Sequence, residues 1–236
     1  DNRFVSERVN ELKRRKIRFI QADILAFDQI NEIINNADVV HHLAGITDVA
    51  YVKKEQNKEQ DALIEKVAIE GTANVLKAMN DNATIVFPST HVVFEGLKEK
   101  KENLDENEKT NTFLPYSTSK VENEKQIAKS GKKYVIFRLG SVYGFSTDTM
   151  RINIMPNLFS KITSQNGKIK LYGGGKQLKS LVPLIDVARS FKFVEEKKDF
   201  ESGIYNLTKE NLTVKDVADL CKKINPKLEI SVTDDE

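Results

Sequence analysis

Short apolar runs rich in β-branched residues alternate along this chain with longer stretches in which apolar positions recur every three or four residues. The runs are "KIRFIQ" (16–21), "ADVVHHLA" (37–44), "ATIVFPS" (83–89) and "KYVIFRLG" (133–140). Between them lie "FDQINEIINN" (27–36), "EQDALIEKVAIEGTANVLKAMN" (59–80) and "STSKVENEKQIAKS" (117–130), which carry helical periodicity. This rhythm predicts parallel strands joined by crossover helices, and the near-continuous apolar strands predict a sheet covered on both faces. After residue 145 the rhythm loosens into "MPNLFSKITSQNGKIKLYGGGK". A short strand "KSLVPL", a helix opening near Asp186, a strand "GIYNLT" and a helix from "TVKDVADLCKKI" follow. The expected fold is α/β: a doubly wound parallel sheet over residues 1–145, and a smaller C-terminal lobe over 146–236 interleaved with it. No internal repeat is apparent, and "GLKEKKENLDENEKT" reads as a solvated loop of mixed sign.

Composition narrows the function classes. With 236 residues, 39% hydrophobic and 31% charged, the chain can bury the core of a large domain or of a domain plus a lobe. Thirty-seven basic against 35 acidic residues leave a net charge of +2, so there is no electrostatic case for a nucleic-acid partner. No apolar run approaches the roughly 20 residues that span a bilayer, and no secretory or lipidation signal is present, so no membrane partner is expected. The single cysteine, Cys221, precludes an internal disulfide, fits a reducing cytoplasm, and falls in an apolar pattern that predicts a buried thiol. Among three histidines, His41 and His42 are neighbours on a strand and point to opposite faces, so they cannot chelate together, and no metal site is expected.

Open parallel sheets bind ligands at the carboxyl ends of their strands. Ser89 and Thr90 end "VFPST", Asp23 ends "IQAD", and Leu43, Ala44 and Gly45 end "HHLAG", where small residues let a flat ligand approach the backbone. In "LPYSTSK", Tyr116 and Lys120 stand one helical turn apart directly after a proline, and so share a helix face. Taken alone, Tyr116 and Lys120 read as an amphipathic surface pair, and Thr90 as a cap where the chain leaves its strand.

Together, "FPST", "YSTSK", "HHLAG", "QADI", "GTANVLKA" and "FRLGSVYG" resemble the extended short-chain dehydrogenase/reductases. The likeness is specifically to NAD-dependent nucleotide-sugar epimerases and dehydratases of the UDP-glucose 4-epimerase type. It continues through "NIMP", "YGGGKQLKSLVPLIDVA" and "GIYNLT". The resemblance implies that Thr90, Tyr116 and Lys120 form the catalytic set. It also implies that Asp1, Asp23, Ile24, Leu43, Ala44, Gly45 and Leu139, with Tyr116 and Lys120, surround NAD, with NADP as the alternative. Thr90, Ser141, Asn153 and Lys179 would face a nucleotide-sugar, the lobe after residue 145 would bind it, and the assembly implied is a homodimer in the cytoplasm.

The chain also departs from that pattern. All eleven glycines lie from Gly45 onward, so the Gly-rich turn that cradles a pyrophosphate is missing, and "GGGK" has neither its spacing nor a following helix. Asp1 and Asn2 resemble the acidic end of the second strand, so the chain is expected to begin about 30 residues into the fold. "SVTDDE" is likewise expected to stop short of the family's usual end. Lys179 stands where an arginine commonly clasps a diphosphate, and lysine cannot make that bidentate fork. Ala68 stands where an asparagine is frequent. His91 and Val92 occupy the places of the dehydratases' Asp-Glu pair, which disfavours dehydration.

The leading expectation is therefore epimerisation through a transient 4-keto sugar. Because "STHVVFEG" also resembles a stretch of dTDP-4-keto-6-deoxy-sugar reductases, a keto-sugar reductase is the alternative, followed by a non-catalytic Rossmann-like binding protein. The chemistry explains the residue types. A tyrosine of pKa about 10 is mostly protonated at neutral pH, and an adjacent ammonium favours its phenolate, the base that hydride removal from a carbinol needs.

Overall fold

A computed structural model describes residues 2–47, 58–98, 101–146, 150–197 and 199–234. The first elements in chain order are α1 (Asn2–Arg14), α2 (Phe27–Ile34), β1 (Val39–His41), α3 (Lys58–Ala78), β2 (Thr84–Thr90), α4 (Pro115–Lys129) and β3 (Lys133–Leu139). They are followed by β4 (Ser141–Tyr143), α5 (Met155–Ser164), β5 (Lys168–Leu171), β6 (Leu178–Pro183), α6 (Leu184–Glu196), β7 (Gly203–Leu207), β8 (Glu210–Thr213), α7 (Val214–Ile224) and β9 (Glu229–Val232). The chain divides into two units. One comprises Gln21–Leu139 and Arg189–Leu207; the other comprises Asp1–Ile20, Gly140–Ala188 and Thr208–Glu236.

The first unit is the α/β Rossmann-like body, a parallel sheet in the order β1-β2-β3-β7. The two-residue period of the strands assigns side chains to faces. Ile85 and Phe87 of β2 and Ile136 of β3 turn to one side, where they meet Val75 and Met79 on and after α3 and Ile127 of α4. On the other side Phe137 stacks on Phe191 of α6, with ring centroids 5.8 Å apart, and His41 meets the same ring edge-on at 5.1 Å. Both faces are thus covered, as the apolar strands predict, and β2 is buried almost throughout. His41 and His42 do point to opposite faces, since His42 bonds Thr72 of α3 at 2.9 Å.

Two helices in this unit show how local sequence places chemistry. Gly71 lets α3 sit over Ile24, because a Cβ there would come within 3.0 Å of the Ile24 side chain. Pro115 opens α4, where its fixed φ suits the first helical position and its missing N–H leaves nothing unsatisfied.

The second unit has the sheet β4-β6-β8, in which β4 and β6 run parallel and β6 and β8 antiparallel. A parallel pair, β5 and β9, completes it. Its core gathers Phe159, Ile169, Leu171, Leu181, Val217, Ala218 and Leu228 around the buried thiol of Cys221. A reciprocal capping box between Thr213 and Asp216 starts α7. The loosened stretch after residue 145 becomes α5 and β5. "GGGK" becomes a turn in which Gly173, Gly174 and Gly175 all have positive φ, a region that side-chain-free residues occupy readily.

Two expectations need correction. "KIRFIQ" forms no strand: residues 17–23 carry no ladder, and Ile17, Phe19 and Ile20 are 50%, 45% and 42% exposed. A strand needs a neighbour to pair with, and β1 is the sheet's edge, with no described strand beyond it. The charged stretch 96–110, in turn, is more than solvated loop. Arg138 donates to the Glu106 carbonyl at 3.1 Å, the Glu106 carboxylate accepts the Asn206 N–H at 2.7 Å, and the Asn206 amide donates to the Leu104 carbonyl at 3.1 Å. The segment is bonded to the ends of β3 and β7.

Candidate active site

β2 and β3 run in register to their carboxyl ends, so that Thr90 pairs with Leu139. Thr90 is buried, and its hydroxyl oxygen accepts the Val92 N–H at 3.2 Å, starting the 3₁₀ turn His91–Phe94. Thr90 is therefore a cap, but accepting that bond leaves the hydroxyl proton free to be donated elsewhere.

Lys120 reaches from α4 to the same strand end. Its ammonium donates to the Pro88 carbonyl at 2.8 Å and lies 4.3 Å from the Phe87 ring centroid and 5.9 Å from that of Tyr116. Enclosure there pushes its pKa down to about 8, with the Glu124 carboxylate one turn further along α4 opposing the shift. Lys120 is thus still mostly a cation at neutral pH, beside a half-buried tyrosine. One of its three N–H donors is taken by Pro88, which leaves two for a ligand. The structure brings Thr90, Tyr116 and Lys120 to one end of one strand.

Leu43, Ala44 and Gly45 follow β1 and are exposed, Leu43 at 64%, and a Cβ on Gly45 would meet nothing within 4 Å. They form an open platform at the neighbouring strand end. Next to it His42 is buried, and burial, then the Lys120 charge, pulls its pKa down to about 4, so the imidazole is neutral. Asp23 is exposed and its carboxylate closes a turn on the Leu25 N–H at 2.9 Å, while the Ile24 side chain packs beneath α3. Asp1 lies outside the described residues.

Ser141, Asn153 and Lys179 belong to the other unit. Ser141 is half-buried opposite Leu181. Asn153 is exposed in the turn before α5, and Lys179 is exposed on β6 opposite Leu212.

Three features of the site went unnoticed in the sequence. Glu124 and Arg138, each 5% exposed in its side chain, form a buried two-point ion pair at 2.8 and 3.1 Å, and the Ser89 hydroxyl donates to the same carboxylate at 2.5 Å. Their signal was an arginine inside the apolar run "KYVIFRLG", because a buried charge demands a partner. The second is Glu95, whose carboxylate receives the entry to α4. The third is the bond made by His91, a residue already singled out in the sequence, whose Nδ1 donates to the Leu139 carbonyl at 2.9 Å.

The residues at these strand ends suit a dinucleotide. Two free ammonium donors match ribose hydroxyls, and the exposed small-residue platform after β1 admits a flat ring. Among the described residues, no helix is long and apolar enough to cross a membrane and no group of side chains could hold a metal ion.

Comparison with known proteins agrees. A protein of Methanocaldococcus jannaschii named as a UDP-glucose 4-epimerase is 29% identical over 183 residues, covering 74% of this chain and 58% of that protein. A trifunctional UDP-glucose 4,6-dehydratase, UDP-4-keto-6-deoxy-D-glucose 3,5-epimerase and UDP-4-keto-L-rhamnose-reductase of Arabidopsis thaliana is 26% identical, covering 91% of this chain and 33% of its own. This chain therefore spans less than two thirds of either relative. The structure of UDP-glucuronic acid 4-epimerase from Bacillus cereus, in complex with UDP-glucuronic acid and NAD, has the same fold, with a TM-score of 0.77 at 21% identity over 98% of this chain and 74% of that one. The model of the NAD dependent epimerase/dehydratase family matches residues 3–208, and the chain belongs to that family.

Proposed function

We propose that this chain carries the catalytic centre of an NAD-dependent nucleotide-sugar epimerase working through a transient 4-keto sugar. The observation that carries the reading is the convergence of Thr90, Tyr116 and a Lys120 ammonium on the carboxyl end of β2. Lys120, Tyr116, Leu43, Ala44, Gly45 and Leu139 would hold NAD, with Asp23 and Ile24 toward its adenine end. When bound, NAD accepts a hydride from the sugar carbon and returns it. Tyr116 takes the proton of the sugar hydroxyl as phenolate, which the nearby ammonium favours. Thr90, its own oxygen already accepting from Val92, donates its proton to the sugar oxygen and stabilises the charge that develops there. Ser141, Asn153 and Lys179 are the candidates for holding the nucleotide-sugar. His91, bonded to the Leu139 carbonyl, stands where an elimination acid would be, which supports stereochemical inversion over loss of water.

The "VFEG" sequence after Thr90, together with the reductase activity in the name of the Arabidopsis relative, favours keto-sugar reduction as the second reading. Incubation with NAD and UDP- or dTDP-hexoses, followed by mass spectrometry and chromatography, separates the two. An epimer of unchanged mass is expected. A product lighter by one water overturns the assignment, and consumption of added NAD(P)H by a keto-sugar transfers it to the reductase.

A further inference from the structure

Glu95 lies at the end of the short turn that Thr90 starts, and its carboxylate reaches the segment that leads into α4. One oxygen accepts the Phe113 N–H at 3.1 Å and the Leu114 N–H at 2.8 Å, and the Ser117 hydroxyl donates to it as well. Those three donors bracket Pro115 and Tyr116. The N-cap residue itself, Leu114, has no polar side chain to offer. A carboxylate from elsewhere in the chain thus fulfils the role of an N-cap and sits at the positive end of the helix dipole.

The segment leading into α4 is also fastened beside Glu95. The Gly96 N–H donates to the Asn111 carbonyl at 2.8 Å, the Asn111 N–H to the Val93 carbonyl at 2.9 Å, and the Asn111 amide to the Gly96 carbonyl at 3.0 Å. The approach is close enough that a Cβ on Gly96 would lie 2.6 Å from the Asn111 side-chain oxygen. Glu95 thus stands five positions after Thr90: Thr90 caps the 3₁₀ turn His91–Phe94, and Glu95 caps the helix bearing Tyr116. The second Glu95 oxygen is buried with no hydrogen-bond partner among the described residues, so the carboxylate is retained at an energetic disadvantage that its other contacts must offset.

We propose that Glu95 is a positioning residue, clamping the first turn of α4 so that the Tyr116 hydroxyl is held at a fixed place relative to Thr90. The proposal rests on the reaction assigned to Tyr116 and Thr90 above, and adds to it the element that keeps the two in step. Because Glu95 acts through Tyr116, while Lys120 and the platform after β1 keep their places, its loss should slow the chemical step far more than it weakens the binding of cofactor or sugar.

The test compares wild-type protein with Glu95→Gln, which keeps the shape and removes the charge, and Glu95→Ala, which removes the acceptor. Two readouts are taken: amide hydrogen exchange over residues 111–118, which needs no turnover, and kcat, KM and NAD affinity with a UDP-hexose. For Glu95→Ala we expect exchange at Phe113 and Leu114 to rise about tenfold, as follows from losing a charge-assisted bond at each. Its kcat should fall roughly 10- to 100-fold, the scale of a displaced catalytic group, with KM and NAD affinity within about twofold. Glu95→Gln should recover part of kcat, to within severalfold of wild type, since an amide oxygen can still accept.

Should Glu95→Ala not fold, Glu95→Gln decides by the same measurements, with a smaller rise in exchange confined to 113–117 and a severalfold loss in kcat. Unchanged exchange at Phe113 and Leu114 overturns the clamp. A parallel fall in kcat, substrate affinity, NAD affinity and melting temperature reduces Glu95 to a structural cap. If wild-type protein turns over no nucleotide-sugar, the epimerase reading fails, while exchange still decides whether Glu95 holds the helix.

Discussion

The two units hold the polar residues around their candidate sites differently. In the sheet unit, Ser89, Thr90, Glu124, Arg138 and His42 are all buried, and each has a partner that fixes it. In the other unit the hydrophobic cluster is made of aliphatic and aromatic side chains and one thiol, and two of the three candidate ligand residues, Asn153 and Lys179, are exposed. The first arrangement is preorganised, since the fold has already met the cost of desolvating and orienting the groups. The second leaves its candidates in water, to be ordered by a ligand. Under the proposed function, chemistry that needs a fixed geometry would fall to the former and recognition of the substrate to the latter.

The largest effect expected from breaking this contrast is at Tyr116. Tyr116→Phe keeps the ring and removes the hydroxyl, so the fold should survive while the rate falls about 10²- to 10⁴-fold. A steady-state assay with circular dichroism checks it, and a folded variant that retains most of its turnover ends the catalytic assignment. Next comes the buried ion pair. Arg138→Met leaves the Glu124 carboxylate unpaired in the core, which costs about 3–5 kcal/mol and lowers the melting temperature by roughly 10 °C. Adding Glu124→Gln should restore much of that loss, because the amide can still accept from Ser89. Equal melting of both variants would mean that the pair contributes no strain when broken.

A smaller effect should appear in acid. His42 has a folded pKa of about 4, below its ordinary 6.5, because burial and the Lys120 charge disfavour the imidazolium. The unfolded chain therefore binds the proton more readily, and stability falls as pH drops from about 6.5 to 4, by about 3 kcal/mol in all. Below that range the contribution is constant. Denaturant titrations across pH 4–7 on wild type and His42→Gln measure it, and the variant should show a shallower slope. The smallest effect is expected in the other unit. Lys179→Ala, at an exposed position, should change stability by no more than ~0.5 kcal/mol, while raising KM for the nucleotide-sugar about tenfold with kcat little altered. A KM equal to wild type would remove Lys179 from the candidate ligand set.

How much was legible in the sequence differed between these regions for a physical reason. The period of apolar residues placed β2, β3, α3 and α4 nearly to the residue, since each element buries one face and shows it in its pattern. Thr90, Tyr116 and Lys120 could be placed at a strand end and a helix start because those are local properties, while the roles proposed for them came from the family resemblance. "KIRFIQ" misled, because an apolar, β-branched run states a propensity and only a neighbouring strand converts it to a ladder. Glu124, Arg138 and Glu95 were overlooked because charged residues in a helix, a strand and a loop carry no local sign of whom they will meet.

By itself, then, the sequence determined the order of strands and helices, the two-sided burial of the sheet and the identity of the groups at its carboxyl edge. It did so through periodicity and spacing, which act over a few residues. The tertiary structure alone decided that Arg138 finds Glu124, that Glu106 ties a charged loop to β3 and β7, and that Glu95 caps a helix beginning twenty residues later. Those pairings join residues far apart in the chain. They exist because burial removes water as the competing partner, leaving each charge only the donors and acceptors that folding brings beside it.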